Sequence, residues 1–221
     1  MRHRLALFAA ACLALPAVAL AAAGDPKEAF TPADKAKAKS MVLVRADLAA
    51  GWKRTSTPDS GDDLSCPGFD PDLSDLTLSG ESESEFEHPG GAYVAAFASV
   101  YRTDANARTG FARVAKPALA RCLAHFFEEG VVEEGGTVTI TKQVKVSFPK
   151  IAPRVAAYRV VCRVGTPGSA QTVPFAVDMI MLGRGRGEVV MLAMAAGPGI
   201  AQADVRSFAR LLASRMQKAG V

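Results

Sequence analysis

The chain has 221 residues, with 26 lysines and arginines against 22 acids, a formal net charge of +4. Arg2 and Arg4 fall in an amino-terminal segment with no acid, so residues 24–221 carry 24 basic and 22 acidic groups, or +2. So even a balance argues against a nucleic-acid polymer as partner, while the length suits a single domain with a sizeable core.

The opening, MRHRLALFAAACLALPAVALAAAGDP, sets two arginines before an apolar run and ends it with small residues at Ala19, Ala21 and Ala23. That pattern is a secretory signal peptide over residues 1–23, cleaved near Ala21 to Ala23; the alternatives are an uncleaved anchor and lipid attachment at Cys12. The Cys12 reading is weakened because Ala9-Ala10-Ala11 lacks a leucine three positions ahead. No later segment is apolar and long enough to span a membrane, so the expected mature product is a soluble extracytoplasmic protein, secreted or held in the cell envelope.

The next stretch, TPADKAKAKSMVLVRADLAAGW, reads as a helix with Thr31 as N-cap and Pro32 in the first turn, stopped at Gly51. Trp52, the only tryptophan, is expected at the edge of the core. Residues 55–72 are punctuated by proline and glycine and read as loop. A polar strand follows over 75–87 and includes ESESEFEH, with Glu81, Glu83, Glu85 and Glu87 on one face. His88-Pro89-Gly90-Gly91 turns it into a second strand over 92–102. Residues 103–130 are helical, with Phe111, Val114, Ala118, Cys122 and Phe126 as the inward stripe, a kink or restart at Pro117 and a stop at Gly130. Strands then run through TVTITKQVKVSF, PRVAAYRVVCRV, TVPFAVDMIML and EVVMLAMAA, and Gln202 to Lys218 forms a closing amphipathic helix. Connections suited to parallel neighbours are scarce. The expected fold is a single α+β domain over 24–221, a mostly antiparallel sheet with helices packed against it.

Charge is unevenly placed. Between Thr55 and Tyr101 there are ten acids and no lysine or arginine, whereas Lys142 to Val221 holds twelve basic residues against Asp178, Glu188 and Asp204. This predicts acidic strands set beside basic ones. The glutamate row is then the solvated side of a sheet, since a linear row does not converge on a cation as calcium coordination requires. Arg159 and Arg163 share a strand face; they either line an anionic pocket or, as the charge pattern favours, answer the glutamates. GRGRG, residues 183–187, lacks the lysine and hydroxyl of a P-loop and reads as a hairpin turn with Arg184 and Arg186 in solvent.

Three cysteines remain after residue 23. Cys66 lies in the turn-rich loop, where a covalent tether has a purpose. Cys122 is on the inward stripe of the helical region, and Cys162 sits among apolar strand neighbours as a small hydrophobe. A Cys66–Cys122 disulfide with Cys162 as a free thiol is expected; Cys122–Cys162 is the rival. His88 and His125 fit no metal spacing, and neither a G-x-S-x-G nor an S-x-x-K set is present. The expected site therefore contains no catalytic residue, no metal and no cofactor.

The segments ADLAAGW, SCPGFDPDLSDLT, ARCL, AYRVVCRV and DMIMLGRGRGEVVML, in that order, resemble exported sensor-domain proteins related to the extracellular domain of the PknH receptor kinase. The resemblance implies a PsbP-like α+β fold with a disulfide-braced, cleft-bearing sheet. Relatives with two disulfides need four cysteines, and residues 24–221 hold three. Export, the missing catalytic motifs and this resemblance together predict a non-enzymatic binding or sensing module. Its partner would be an unknown small ligand. The alternative is a structural or assembly accessory of the envelope that binds a protein, and a hydrolase comes third.

Overall fold

A computed structural model describes residues 24–55, 66–133, 135–165, 167, 171–197 and 199–221. Residues 1–23, where a signal peptide is expected and Cys12 lies, and residues 56–65 of the turn-rich loop lie outside the described residues. The strands are β1 (Lys27–Glu28), β2 (Lys53–Thr55), β3 (Thr77–His88), β4 (Ala92–Tyr101), β5 (Thr137–Val146), β6 (Arg154–Gly165), β7 (Thr172–Arg184) and β8 (Gly187–Ala196). The helices are α1 (Pro32–Met41), α2 (Asp104–Val114), α3 (Ala118–Glu133) and α4 (Gln202–Lys218).

All these strands join one sheet in the order β1-β3-β4-β8-β7-β6-β5, with β2 also against β3. Every pairing is antiparallel except β1 with β3. The fold is α+β. The central strands β4, β7 and β8 are apolar on both faces, which is why they read as near-continuous hydrophobic runs rather than alternating ones.

Helices cover both faces. On one, Met41 of α1 and Val205, Ala209, Leu212 and Met216 of α4 pack on Phe86, Val94, Met191 and Leu182. On the other, Phe111 of α2 and Leu119, Leu123 and Phe127 of α3 pack on Tyr101, Tyr158, Val160, Met179 and Met181. The helical region over 103–130 is thus two helices. The break before Ala118, next to Pro117, resets the rotational phase, so Leu119, Ala120, Leu123, Phe127 and Val131 face inward, while Ala118 and Phe126 are only half-buried. Gly130 does not stop α3, which continues to Glu133. Helical hydrogen bonding tolerates one glycine when the flanking turns, here those of Phe127 and Val131, are packed.

Thr31 caps α1 as expected: its Oγ1 accepts from the Asp34 amide at 3.1 Å. A disulfide joins Cys66 to Cys122, with Cα atoms 5.2 Å apart, and so holds the segment entering β3 against α3. Phe69 and Phe126 pack around it. Cys162 is buried outside that bridge, with its Sγ 3.8 Å from the Phe175 carbonyl. Among the described residues no helix is long and apolar enough to cross a membrane.

Candidate functional site

Sheet register gathers the polar residues. On the face carrying α2 and α3, Glu81 of β3 stands opposite Ser99 of β4, Ser99 opposite Glu188 of β8, Glu188 opposite Gly183 of β7, and Gly183 opposite Arg154 of β6. Two carboxyls, a hydroxyl, a gap and a guanidinium thus lie in one line across five strands. Gly183 makes the gap usable: a Cβ there would stand 2.5 Å from Arg154 Nε, so the missing side chain lets the arginine lie across β7. Arg154 Nη2 donates to the Gly185 carbonyl at 2.9 Å, and Nη1 lies 3.6 Å from Asp104 Oδ1 of α2. Its guanidinium carbon is 5.9 Å from the Phe111 ring centroid.

Glu188 is 7% exposed, and its Oε2 has no hydrogen-bond partner among the described residues; nor has Arg154 Nε. Burial pushes the Glu188 carboxyl up to about 8, against the smaller opposing pull of Arg154. The group therefore keeps its proton at neutral pH. Tyr101 flanks the row, and its hydroxyl sits where α2 comes close: a Cβ on Gly110 would be 2.9 Å from it. Burial first, and then the charges of Glu188 and Glu81, raise the Tyr101 phenol well above its ordinary range. Glu81 stays exposed, yet burial is also the leading cause of its raised pKa, followed by Glu28. The Ser99 hydroxyl, which donates to Glu81 Oε1 at 3.4 Å, works in the opposite direction.

The adjacent register row supplies the floor. Glu83 opposes Phe97, Phe97 opposes Val190, and Val190 opposes Met181. Along it the side chains pass from exposed Glu83, through half-buried Phe97 and Val190, to fully buried Met181. One row further, Glu85 is 2% exposed and accepts a 2.7 Å hydrogen bond from Tyr93 Oη.

The glutamate row is not uniformly the wet side of the sheet: Glu81 and Glu83 are exposed, Glu87 is half-buried, and Glu85 is buried in a bond to Tyr93. Strand alternation fixes which residues share a face but not which face is covered. Arg159 and Arg163 do not answer the glutamates. β6 is separated from β3 by β4, β8 and β7, and both arginines point to the opposite face. Arg159 lies 3.8 Å from buried Asp178, whose other oxygen accepts from Gln202 Nε2 at 2.9 Å, and Arg163 donates to Thr172. The basic strands β5 and β6 lie towards the other edge of the sheet, and the basic strand beside the glutamates is β2, whose Lys53 stands opposite Glu87. The segment 183–187 is a tight hairpin turn, with Gly185 at φ +47°, but Arg186 is not left to solvent. It grips Asp34 with two bonds of 2.9 and 3.1 Å and donates to the Tyr101 carbonyl at 3.0 Å.

The histidines lie elsewhere. His88 packs 5.5 Å from Trp52, and His125 pairs with Glu129 at 3.2 Å. Among the described residues no group of three or more His, Cys, Asp or Glu side chains is arranged to hold a metal ion. Sequence reasoning missed Tyr101, Arg154, Gly183 and Glu188. The one available signal was Glu188 itself, the only charged residue in EVVMLAMAA. No family model, no curated protein and no solved structure matches this chain.

Proposed function

We propose that this chain is an exported, non-enzymatic binding or sensing module whose ligand rests on the sheet face carrying α2 and α3, over Glu83, Phe97 and Val190. The observation that carries the reading is the graded row itself. An exposed carboxylate, two half-buried apolar side chains and a buried methionine form a floor, and a line of polar groups runs alongside. Apolar walls with a few fixed polar groups are the usual composition of a small-ligand site. The resemblance to exported sensor domains, with its cleft-bearing sheet, points the same way. Docking of an envelope protein on a flat apolar face has less support: Val44 and Val132 are the exposed large hydrophobics among the described residues, and they form no patch.

Native mass spectrometry of protein secreted by its own host tests the reading. The expected species has lost residues 1–23 and carries a bound small molecule that is released on denaturation. Mature protein found only at its bare mass, or only with a protein partner, would overturn it.

A further inference from the structure

We propose that this face takes an organic cation, with an ammonium or guanidinium group seated over Ser99 between Glu81 and Glu188 and an apolar body lying on Phe97 and Val190. The proposal rests on the binding reading above and gives it a ligand class. Its first support is the sign of the charges. Glu81 feels Glu28, Glu83 and Asp25, all acids from β3, β1 and the segment before β1. The one cation in the register row, Arg154, stands at its far end beyond Glu188, held by the Gly185 carbonyl and Asp104. The second support is independent of that acidic cluster. Glu188 is more than nine-tenths buried, lies on the same face two strands from Glu81, and leaves Oε2 without a partner. A buried carboxyl oxygen with no donor is costly, and a ligand N–H can satisfy it.

Geometry suits a forked or multiple donor. The Cα atoms of Glu81 and Glu188 are about two strand spacings apart, ~10 Å. The Ser99 bond draws the Glu81 carboxylate inward over β4, which narrows that span. A bare metal ion is poorly served, because carboxyls strung along one row do not surround a point. Next to the carboxyls, the half-buried ring of Phe97 offers an apolar and cation-tolerant surface.

The test uses 2-phenylethylguanidinium, with 3-phenylpropionate and 2-phenylethanol as anionic and neutral counterparts, added to the mature protein and followed by amide chemical shifts. The guanidinium compound is expected to shift residues 81–83, 97–99 and 188–190 and to bind about tenfold more weakly to Glu81→Gln and to Glu188→Leu, which removes the acceptor, while Glu188→Gln, which keeps a neutral acceptor, and Glu129→Gln bind as wild type. Urea unfolding of each variant separates lost binding from lost folding. Equal or stronger binding of the anion or the neutral compound at those residues, or unchanged affinity in both Glu81→Gln and Glu188→Leu, would overturn the cation assignment and leave the binding face standing. No shift at those residues with any of the three would also overturn it. A small molecule carried by the native protein in mass spectrometry would then still uphold the broader reading, and a bare mass would end both.

Discussion

Glu188 sits in an environment that suits its neutral form. Its pKa is about 8 in the folded protein against 4.5 for the free group. The folded state therefore holds a proton that the unfolded chain has already lost near neutrality. The stability contributed by this group is fully present below the unfolded value, is lost as pH rises from about 4.5 to about 8, and is constant above that. At about pH 7 the cost of keeping Glu188 is on the order of 3 kcal/mol. Glu188→Gln keeps the neutral shape without the titration. Urea unfolding across pH should show the variant equal to wild type near pH ~4 and more stable by up to about 3 kcal/mol at neutrality. Identical pH slopes in the two proteins would contradict this burial account. The sequence displays this residue as a lone acid opening an apolar strand. Nothing in it says that strands β4 and β7 will bring Ser99 and Gly183 to either side.

Elements are tied to one another by a few close approaches. α1 crosses β3 at Gly80, where a Cβ would stand 2.3 Å from the Asp34 carbonyl carbon, a backbone atom that cannot step aside. Gly80→Ala should lower the unfolding free energy by about 1–3 kcal/mol, read as a fall in thermal midpoint, through displacement of α1. The Arg186 fork on Asp34 fastens the β7–β8 turn to the same helix. The Arg186 bond and charge hold the Asp34 carboxyl below the usual carboxylate range. This contribution is present above the unfolded pKa of 3.8 and is lost as pH falls through the lower folded value. Arg186→Lys, which keeps the charge but not the fork, should cost about 1–2 kcal/mol at neutral pH and progressively less in acid. An undiminished difference in acid would show that the ion pair is not the cause. Alternation and turn chemistry made β3, β4 and the Gly185 hairpin legible in the sequence, and Thr31 marked the start of α1. The partner of Arg186 was not legible, because Asp34 lies 152 residues away. The restart at Pro117 was legible but the phase it sets was not: the helix begins afresh at Ala118, so the stripe of α2 does not run on through Ala118 and Phe126.

On the scale of the whole molecule, one sheet carries two cores and one covalent brace. The Cys66–Cys122 bridge closes a loop of sequence separation 56. Replacing both cysteines by serine should cost about 2–4 kcal/mol on the chain-entropy model, with the larger loss of protection from hydrogen exchange in 66–76. Unchanged stability would show that the apolar contacts of Phe69 and Phe126 suffice. Loop composition pointed to this pair, since Cys66 had little else to hold it. Strand order carries the rest of the molecule's character and had no sequence signature. It sends the acidic β3 and the basic β6 to opposite halves, buries Glu85, and lines up Glu81, Ser99, Glu188 and Arg154. Pairwise charge complementarity between β3 and the basic strands after Lys142 is too weak at exposed sites to choose a topology against apolar burial.

Amide chemical shifts of native protein before and after unfolding, dialysis and oxidative refolding show whether the face over Glu83, Phe97 and Val190 holds a ligand. The expected differences are confined to residues 81–83, 97–99 and 188–190 and are reversed by adding back the dialysed fraction. Superimposable spectra, or differences centred on the face packed by α1 and α4, would contradict a ligand there.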